Sequence, residues 1–577
     1  MTGQITCLRL TDVDALDADV VGAKAAGLAR ALQAGLPVLP GVVVPVEAAA
    51  PVIEAVRALL VDGQLGRVRR AAMAVQPDGA LVATVIAAAA PLGPSLVVRS
   101  SSPMEGDGVW SGAFSSLVGV APDELPTALR ACLASAFSPD AMERAEHQGV
   151  PVDALALAVL VQPEIVPDLG GTARVDGTGR VSIAATSGPM RALMEGWVEG
   201  KNATVAASGQ IVDSQLPPST VEAVAQLVRT TAERLGHDSV EWATVDGEVW
   251  LLQSLRSRAT STTSVATTPV MAAHATPLAL ALALLTQQYP GPLGEELILP
   301  WAVACPDLAA RDAHPALDHL DLRDRLARVR AVVNELSVRL WGGSPRAAQE
   351  EASRTLRQLR GTDPGQALDR IEALPAPSET QVLALQADLA RLREDLVAGA
   401  LVTDVPSFWR LTLEQLEAAV SGRPVARADR LGVGRWEPFV HAVVRATGCR
   451  YDGVAASPGA AAGPVHVVED LWNQPPPIGR YVLVATSPIP ALSPLLWNAA
   501  GLITRGGSGH AHLLEFAAAI GVPSVVGVPV PRLEQGGGWF AAVDGDGGEV
   551  WLARAERALT AGSQAVENAM PTRHEPT

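Results

Sequence analysis

TRGGSGHAHLLEFAAAIGVPSVVG, residues 504–527, sets His510 and His512 just behind a glycine-rich turn, at the start of a helical run that stops at Gly521. An imidazole at a helix N-terminus is expected to be biased toward its neutral, nucleophilic form. The same dipole stabilises a phosphoryl group once it is attached. The bland readings are a His-x-His metal pair lacking its remaining ligands, or two solvated loop histidines. Around this segment, residues 463–468, 481–485, 501–504, 523–526 and 548–552 read as short strands between glycine turns. A compact α/β domain over 451–556 follows from that pattern, with a disordered tail over 557–577.

Working back toward the N-terminus, residues 269–450 carry helical stripes with hardly any strand signal. Leu322, Leu326, Val329, Val333, Leu336 and Leu340 form one stripe, and Val382, Leu385, Leu389, Leu392 and Leu396 another, with Ser378 and Gln381 as a capping-box pair. Residues 260–268, seven of nine being Ser or Thr, read as a linker. The first 258 residues mix strands at 41–44, 96–99, 157–162 and 249–253 with a helix over 23–34, an α/β or α+β region.

Bulk properties exclude several classes. A net charge of −17 without a basic stripe argues against a nucleic-acid partner. The apolar run at 80–90 stops at Pro91, well short of the roughly 20 residues of a membrane span. Four scattered cysteines and an acidic N-terminus fit a cytoplasmic protein in a reducing environment. Oligomeric state leaves no signal.

Three N-terminal segments carry chemistry. In VGAKAAGLARALQAGLPVLPG (21–41), Lys24 lies in a glycine-bounded turn opening a helix, where backbone N–H groups and an ammonium are expected to face phosphate oxygens together. It is one of only two lysines among 44 basic residues, the other being Lys201. In LVVRSSSPMEGDGVWSGAF (96–114), Arg99 ends an apolar strand, where it binds an anion or makes a structural ion pair. In VEWATVDGEVWLLQS (240–254), Glu241 and Gln253 flank a hairpin turn at Asp246 and Gly247. Their oxygens either converge on Mg²⁺ or remain half-exposed surface groups. No Gly-x-x-x-x-Gly-Lys-Ser/Thr loop occurs, which excludes a P-loop nucleotide site.

Together these segments resemble the dikinase family of pyruvate phosphate dikinase, phosphoenolpyruvate synthase and rifampin phosphotransferase. The resemblance covers 1–258 loosely and 451–554 well, about three-fifths of the chain. It implies a multidomain α+β and α/β architecture: an ATP-grasp-like ATP-binding unit over 1–258, a helical acceptor-substrate domain over 259–450, and a swivelling β/α phosphohistidine domain. Carried over residue by residue, the family's ATP-site Lys falls on Lys24, its phosphate Arg on Arg99, and its glycine-loop contacts on Gly112 and Ser116. Its strand Gln falls on Gln162, and its Glu and Gln near Mg-ATP on Glu241 and Gln253, the two implied metal ligands. The pattern Thr-x-x-Gly-Gly-x-x-Ser-His, with Gly-x-Pro nine residues beyond the His, puts the nucleophile on His512, counted from Thr504 or back from Gly521; His510 is the fallback.

The chain departs from the family at Ala511 in place of Ser, at Ala517, Ala518 and Ala519 in place of Ala-Arg-Glu, and at Leu255 in place of Arg, with Arg256 as a stand-in. These losses are expected to weaken activity. The implied reaction converts ATP, water and an acceptor into AMP, Pi and phosphorylated acceptor through a phosphohistidine, with Mg²⁺ as cofactor. A phosphoenolpyruvate-binding barrel is not expected after the last domain, and the domain order resembles that of rifampin phosphotransferase. The acceptor is therefore expected in the middle domain, as a small-molecule hydroxyl on an antibiotic or natural-product intermediate. The rival readings are a carboxylate or nitrogen acceptor, and a degenerate partner protein that binds ATP without turnover. Hinges are expected near Thr260 and Arg450.

Overall fold

A computed structural model describes residues 5–61, 65–105, 108–256, 321–341, most of 343–358, 379–399, 411–423, 437–469, 479–534 and 538–554, with a few isolated positions between them. These residues divide into two compact units. One joins the N-terminal residues to segments 487–494 and 506–521, and the other takes the helical region and the remaining C-terminal strands. The expected linker at 260–268, the cap at Ser378, Cys305 and the tail lie outside the described residues.

The first unit holds two antiparallel sheets. Strands β1 (Leu8–Arg9), β2 (Val42–Val44), β3 (Leu96–Ser101), β4 (Ser116–Val120) and β5 (Ala158–Pro163) pair in the order β1-β2-β5-β3-β4. Strands β6 (Leu169–Val175), β7 (Val181–Ser187), β8 (Lys201–Val205), β9 (Ile211–Ser214), β10 (Ser239–Val245) and β11 (Glu248–Leu255) pair in the order β11-β10-β6-β7-β8-β9. A bridge from Val38 to Leu251 ties the two sheets together, and Leu251 N–H donates to the Pro37 carbonyl at 2.8 Å. Helices Ala18–Gln33 and Pro218–Leu235 share one apolar core with both sheets, built on Val21, Leu28, Val43, Leu160, Val228 and the fully buried Trp242.

The reason Lys24 sits where it does is Gly22. This residue interrupts helix Ala18–Gln33 with φ 76° and ψ 160°, and a Cβ there would come within 2.1 Å of the Ser101 carbonyl oxygen. Only glycine lets the helix approach the end of β3 so closely. The contact also corrects an expectation. Ala23 N–H donates to the Ser102 carbonyl at 2.9 Å and Ala25 N–H to Ser101 Oγ at 3.0 Å. Those two amides are therefore engaged within the protein rather than turned toward a phosphate.

In the second unit, β12 (Cys449–Asp452), β13 (Val454–Ser457), β14 (Ala460–Val468), β15 (Tyr481–Ala485), β16 (Ala499–Thr504), β17 (Ser524–Val526), β18 (Trp539–Asp544) and β19 (Glu549–Arg554) form one sheet, ordered β12-β19-β18-β14-β15-β16-β17-β13. Its centre, β14-β15-β16-β17, is parallel and its flanks are antiparallel. Helix Glu437–Thr447 packs on β14, β18 and β19. Arg450, near which a hinge is expected, lies within β12, paired with Trp551 and bonded to Asp452 at 3.0 Å. Both predicted apolar stripes fall on helices, Leu322–Trp341 and Glu379–Ala398, which carry buried Leu326, Val329, Leu389 and Leu392. Buried Arg325 faces Asp388 across them at 3.3 Å.

Candidate active site

A cleft of about 580 Å³ opens in the first unit between its two sheets. Every residue carried over from the ATP-site pattern lines it: Lys24, Arg99, Gly112, Ser116, Gln162, Glu241 and Gln253. His512 lines it as well, and among the described residues His510 does not.

Strand register explains the convergence. The turn at Asp246 and Gly247, both with positive φ, closes the β10–β11 hairpin so that Glu241 and Gln253 are direct cross-strand partners. Arg99, the fourth residue of β3 rather than its last, reaches both. Its Nη2 lies 3.2 Å from Gln253 Oε1 and 3.4 Å from Glu241 Oε2, while Nη1 donates to the Leu252 carbonyl at 2.8 Å. Arg99 is 13% exposed and Glu241 7%, so this ion pair is shielded from bulk water. Ser116 starts β4 directly opposite Arg99. Gln162 donates to the Leu39 carbonyl at 3.1 Å. Lys24 Nζ donates to the Ser100 carbonyl at 3.1 Å and to Glu105 Oε1 at 3.3 Å, and Glu105 also accepts from Ser102 N–H. Leu255 and Arg256 both line the cleft, with Arg256 Nε donating to the Gly236 carbonyl at 3.3 Å.

His512 is the first residue of helix His512–Ala519, with Ala511 at its N-cap offering no side-chain bond. Three side chains meet here. Ser111 Oγ lies 2.9 Å from His512 Nδ1 and donates a short hydrogen bond to Glu515, whose Oε2 is 3.5 Å from the same ring nitrogen. Gly112, with φ 68°, is the close neighbour that permits this: a Cβ there would sit 3.2 Å from that of His512.

Arg144 fixes the loop carrying Ser111. Its buried guanidinium donates to the carbonyls of Val109 at 2.6 Å and Ser111 at 2.9 Å, pairs with Asp140 at 2.9 Å, and lies over the Phe516 ring at 4.3 Å. Burial pulls the Arg144 pKa down, and Asp140 offsets part of that.

The electrostatics of the two histidines differ. Burial and the nearby Arg174 push His510 down to about 4, with Glu515 opposing them, so its ring is neutral. At His512 burial again disfavours the charged ring. The bond to Glu515 and that carboxylate's charge, with a smaller contribution from Glu241, nevertheless raise His512 above its ordinary value against the opposing Lys24. The expected neutral bias at the helix start is thus reversed by a carboxylate one turn along. Burial would raise Glu515 itself, but His512, Ser111 and Arg174 hold it below its usual range.

Ser111, Glu515, Glu105, Arg144 and Arg174 were not identified from sequence. For Glu515 the signal was present, since residues three apart share a helix face. For the others it was not.

Residues 18–236 match the AMP/ATP-binding domain of pyruvate phosphate dikinase, and residues 478–548 match the mobile domain of PEP-utilising enzymes. The chain belongs to the pyruvate phosphate dikinase and phosphoenolpyruvate synthase family. The first dikinase domain contains Lys24, Arg99, Gly112, Ser116 and Gln162 but ends before Glu241 and Gln253, and the second contains both histidines and Glu515. Chondramide synthase cmdD of Chondromyces crocatus is 27% identical over 179 residues, 29% of this chain and 5% of that protein. A probable phosphoenolpyruvate synthase of Archaeoglobus fulgidus is 32% identical over 105 residues, 18% of this chain and 14% of that protein. Prodigiosin synthesizing transferase PigC of Serratia marcescens is 34% identical over 107 residues, 18% of this chain and 12% of that protein. The matched stretches thus span at most 14% of the length of these three relatives. Among the described residues no single helix is long and apolar enough to cross a membrane.

Proposed function

We propose that this chain is an ATP-dependent dikinase-type phosphotransferase in which His512 carries the phosphoryl group. The observation that carries this reading is the opening of one imidazole, His512, onto the same cleft as Lys24, Arg99, Glu241 and Gln253. In the proposed sequence the Nε2 lone pair of His512 attacks the β-phosphorus. The N–P bond forms as the bond from Pβ to the bridging oxygen breaks, and AMP leaves with that electron pair. Water then attacks the γ-phosphorus and releases Pi, leaving phosphohistidine. Splitting the transfer in two lowers each barrier. Lys24 and Arg99 offset the charge on the phosphate oxygens, and transfers of this kind depend mainly on positioning and electrostatics.

Glu241 and Gln253 fit Mg²⁺ chemically, because this ion takes one or two protein oxygens alongside phosphates rather than a full protein cage. Among the described residues there is no group of three or more acidic, His or Cys side chains that would form such a cage. Glu241 and Gln253 would hold the ion, and when bound it would supply positive charge to offset that of the phosphates. Arg99, which now engages both side chains, would turn to the nucleotide.

The acceptor is a small-molecule hydroxyl bound by the helical middle region, with no nucleic acid or membrane involved and the reaction in the cytoplasm. Two of the three relatives are named for the synthesis of chondramide and of prodigiosin, which favours a biosynthetic intermediate over an antibiotic taken up for inactivation. The degenerate reading rests on Ala517, Ala518 and Ala519. Product analysis separates these: AMP and Pi formed only with a particular acceptor support the phosphotransferase. ADP formation, or no turnover with tight ATP binding, counts against it.

A further inference from the structure

We propose that Ser111 and Glu515 are positioning residues that hold the Nδ1 proton of His512, so that Nε2 is the nitrogen presented to the nucleotide. The inference deepens the phosphotransfer reading and rests on it for its catalytic meaning, while the geometry stands by itself.

Glu515 lies three residues after His512 on one helix, and its carboxylate is 3.5 Å from Nδ1. That is too long for a strong direct bond. Ser111 Oγ fills the gap: it is 2.9 Å from Nδ1 and donates to Glu515 Oε2. A serine hydroxyl has one proton and two lone pairs. Because its proton goes to the carboxylate, it must accept from the ring, which makes Nδ1 the protonated nitrogen. The lone pair of the neutral ring is then on Nε2. When a phosphoryl group bonds to Nε2, the ring keeps its Nδ1 proton and gains positive charge, which the Glu515 carboxylate opposes through the same hydroxyl. An orienting partner on the second ring nitrogen sets the tautomer in this way in histidine sites generally.

The other charged groups near the ring are Glu241 on β10 and Lys24 on helix Ala18–Gln33, which act in opposite senses. Among the described residues neither is a hydrogen-bond partner of Nδ1, so the tautomer rests on Ser111 and Glu515. Arg144, through its bond to the Ser111 carbonyl at 2.9 Å, keeps the hydroxyl in place.

The test uses the full chain carrying nitrogen-labelled histidine, observed by long-range nitrogen–proton NMR at alkaline pH, where the ring is neutral. The His512 signal is assigned by its loss in His512→Ala. The expected result is a ring protonated mainly on Nδ1 in wild type, shifting toward Nε2 protonation in the Ser111→Ala, Glu515→Leu double variant. A wild-type ring protonated mainly on Nε2 overturns the proposal without any variant being needed.

A parallel reaction uses ATP radiolabelled in the β-phosphate. The double variant is expected to form phosphohistidine roughly 10- to 100-fold more slowly, by analogy with the loss of an orienting partner at metal-bound histidines. Part of its label should move to Nδ1, with ATP affinity little changed. Wild-type rate and pure Nε2 labelling in that variant count against the proposal. Nδ1 protonation without any labelling leaves the positioning intact and removes the phosphotransfer reading, whereas labelling with the opposite tautomer does the reverse.

Discussion

The guanidinium of Arg99 sits between the side-chain oxygens of two cross-strand partners, 3.4 Å from Glu241 and 3.2 Å from Gln253. In this arrangement the guanidinium balances the charge of Glu241 and engages the Gln253 oxygen beside it. Arg99→Met should therefore weaken ATP binding by roughly 10- to 100-fold, since a hydrogen bond to a charged group contributes about 1.5–3 kcal/mol. Arg99→Lys should restore only part of this, because an ammonium is a compact point charge without the planar, fixed donor fork of a guanidinium. Calorimetric titration with ATP checks both, and unchanged affinity in Arg99→Met would remove Arg99 from the nucleotide site.

Gly22 is expected to tolerate no side chain. Gly22→Ala places a methyl 2.1 Å from the Ser101 carbonyl oxygen at a φ of 76°. Backbone strain of this kind costs about 1–3 kcal/mol before any overlap is counted. Denaturant midpoints should fall accordingly, and ATP affinity should fall with them, because Lys24 is two residues along.

The Arg144 side chain is 2% exposed and satisfies two loop carbonyls. Arg144→Met keeps the volume but leaves both oxygens without their donor, an outcome that costs about 1–3 kcal/mol for each buried group. The expected signature is faster amide exchange across residues 108–112, with a lowered melting temperature. Protection equal to wild type would show that the loop is held by other means.

Much of this architecture was legible because apolar β-branched runs and helical stripes are local signals. The runs at 96–99, 157–162 and 481–485 became β3, β5 and β15 with ends shifted by no more than two residues. The β10–β11 hairpin was readable from Asp246-Gly247, a pair suited to positive φ. Strand β6, Leu169–Val175, was not, since LGGTARV lacks alternation and is committed to the sheet by its neighbours. The same divide runs through the site. Glu241 facing Gln253 follows from a turn six residues away, whereas Ser111 meets Glu515 across 404 residues and no local pattern encodes that contact.

Acid should destabilise the fold through His510. Its folded value, about 4, lies below the ordinary histidine value of about 6.5, so between these the unfolded chain binds more protons. Stability from this group is complete above the ordinary value and is lost as pH falls through the window. His510→Asn should flatten the melting temperature across it. Glu515 and His512 act in opposite senses. The carboxylate, lowered in the fold, contributes above its unfolded value, and the imidazole, raised in the fold, contributes below its own folded value. Their joint contribution is therefore greatest in the mildly acidic range, and Glu515→Gln should remove it.

The most direct measurement is acid-labile radiolabel on protein incubated with ATP labelled in the β-phosphate, comparing wild type with His512→Ala and His510→Ala. The account predicts label in wild type and in His510→Ala, none in His512→Ala, and release of AMP. Label that survives in His512→Ala, or nucleotide split to ADP with no labelled histidine, would contradict it.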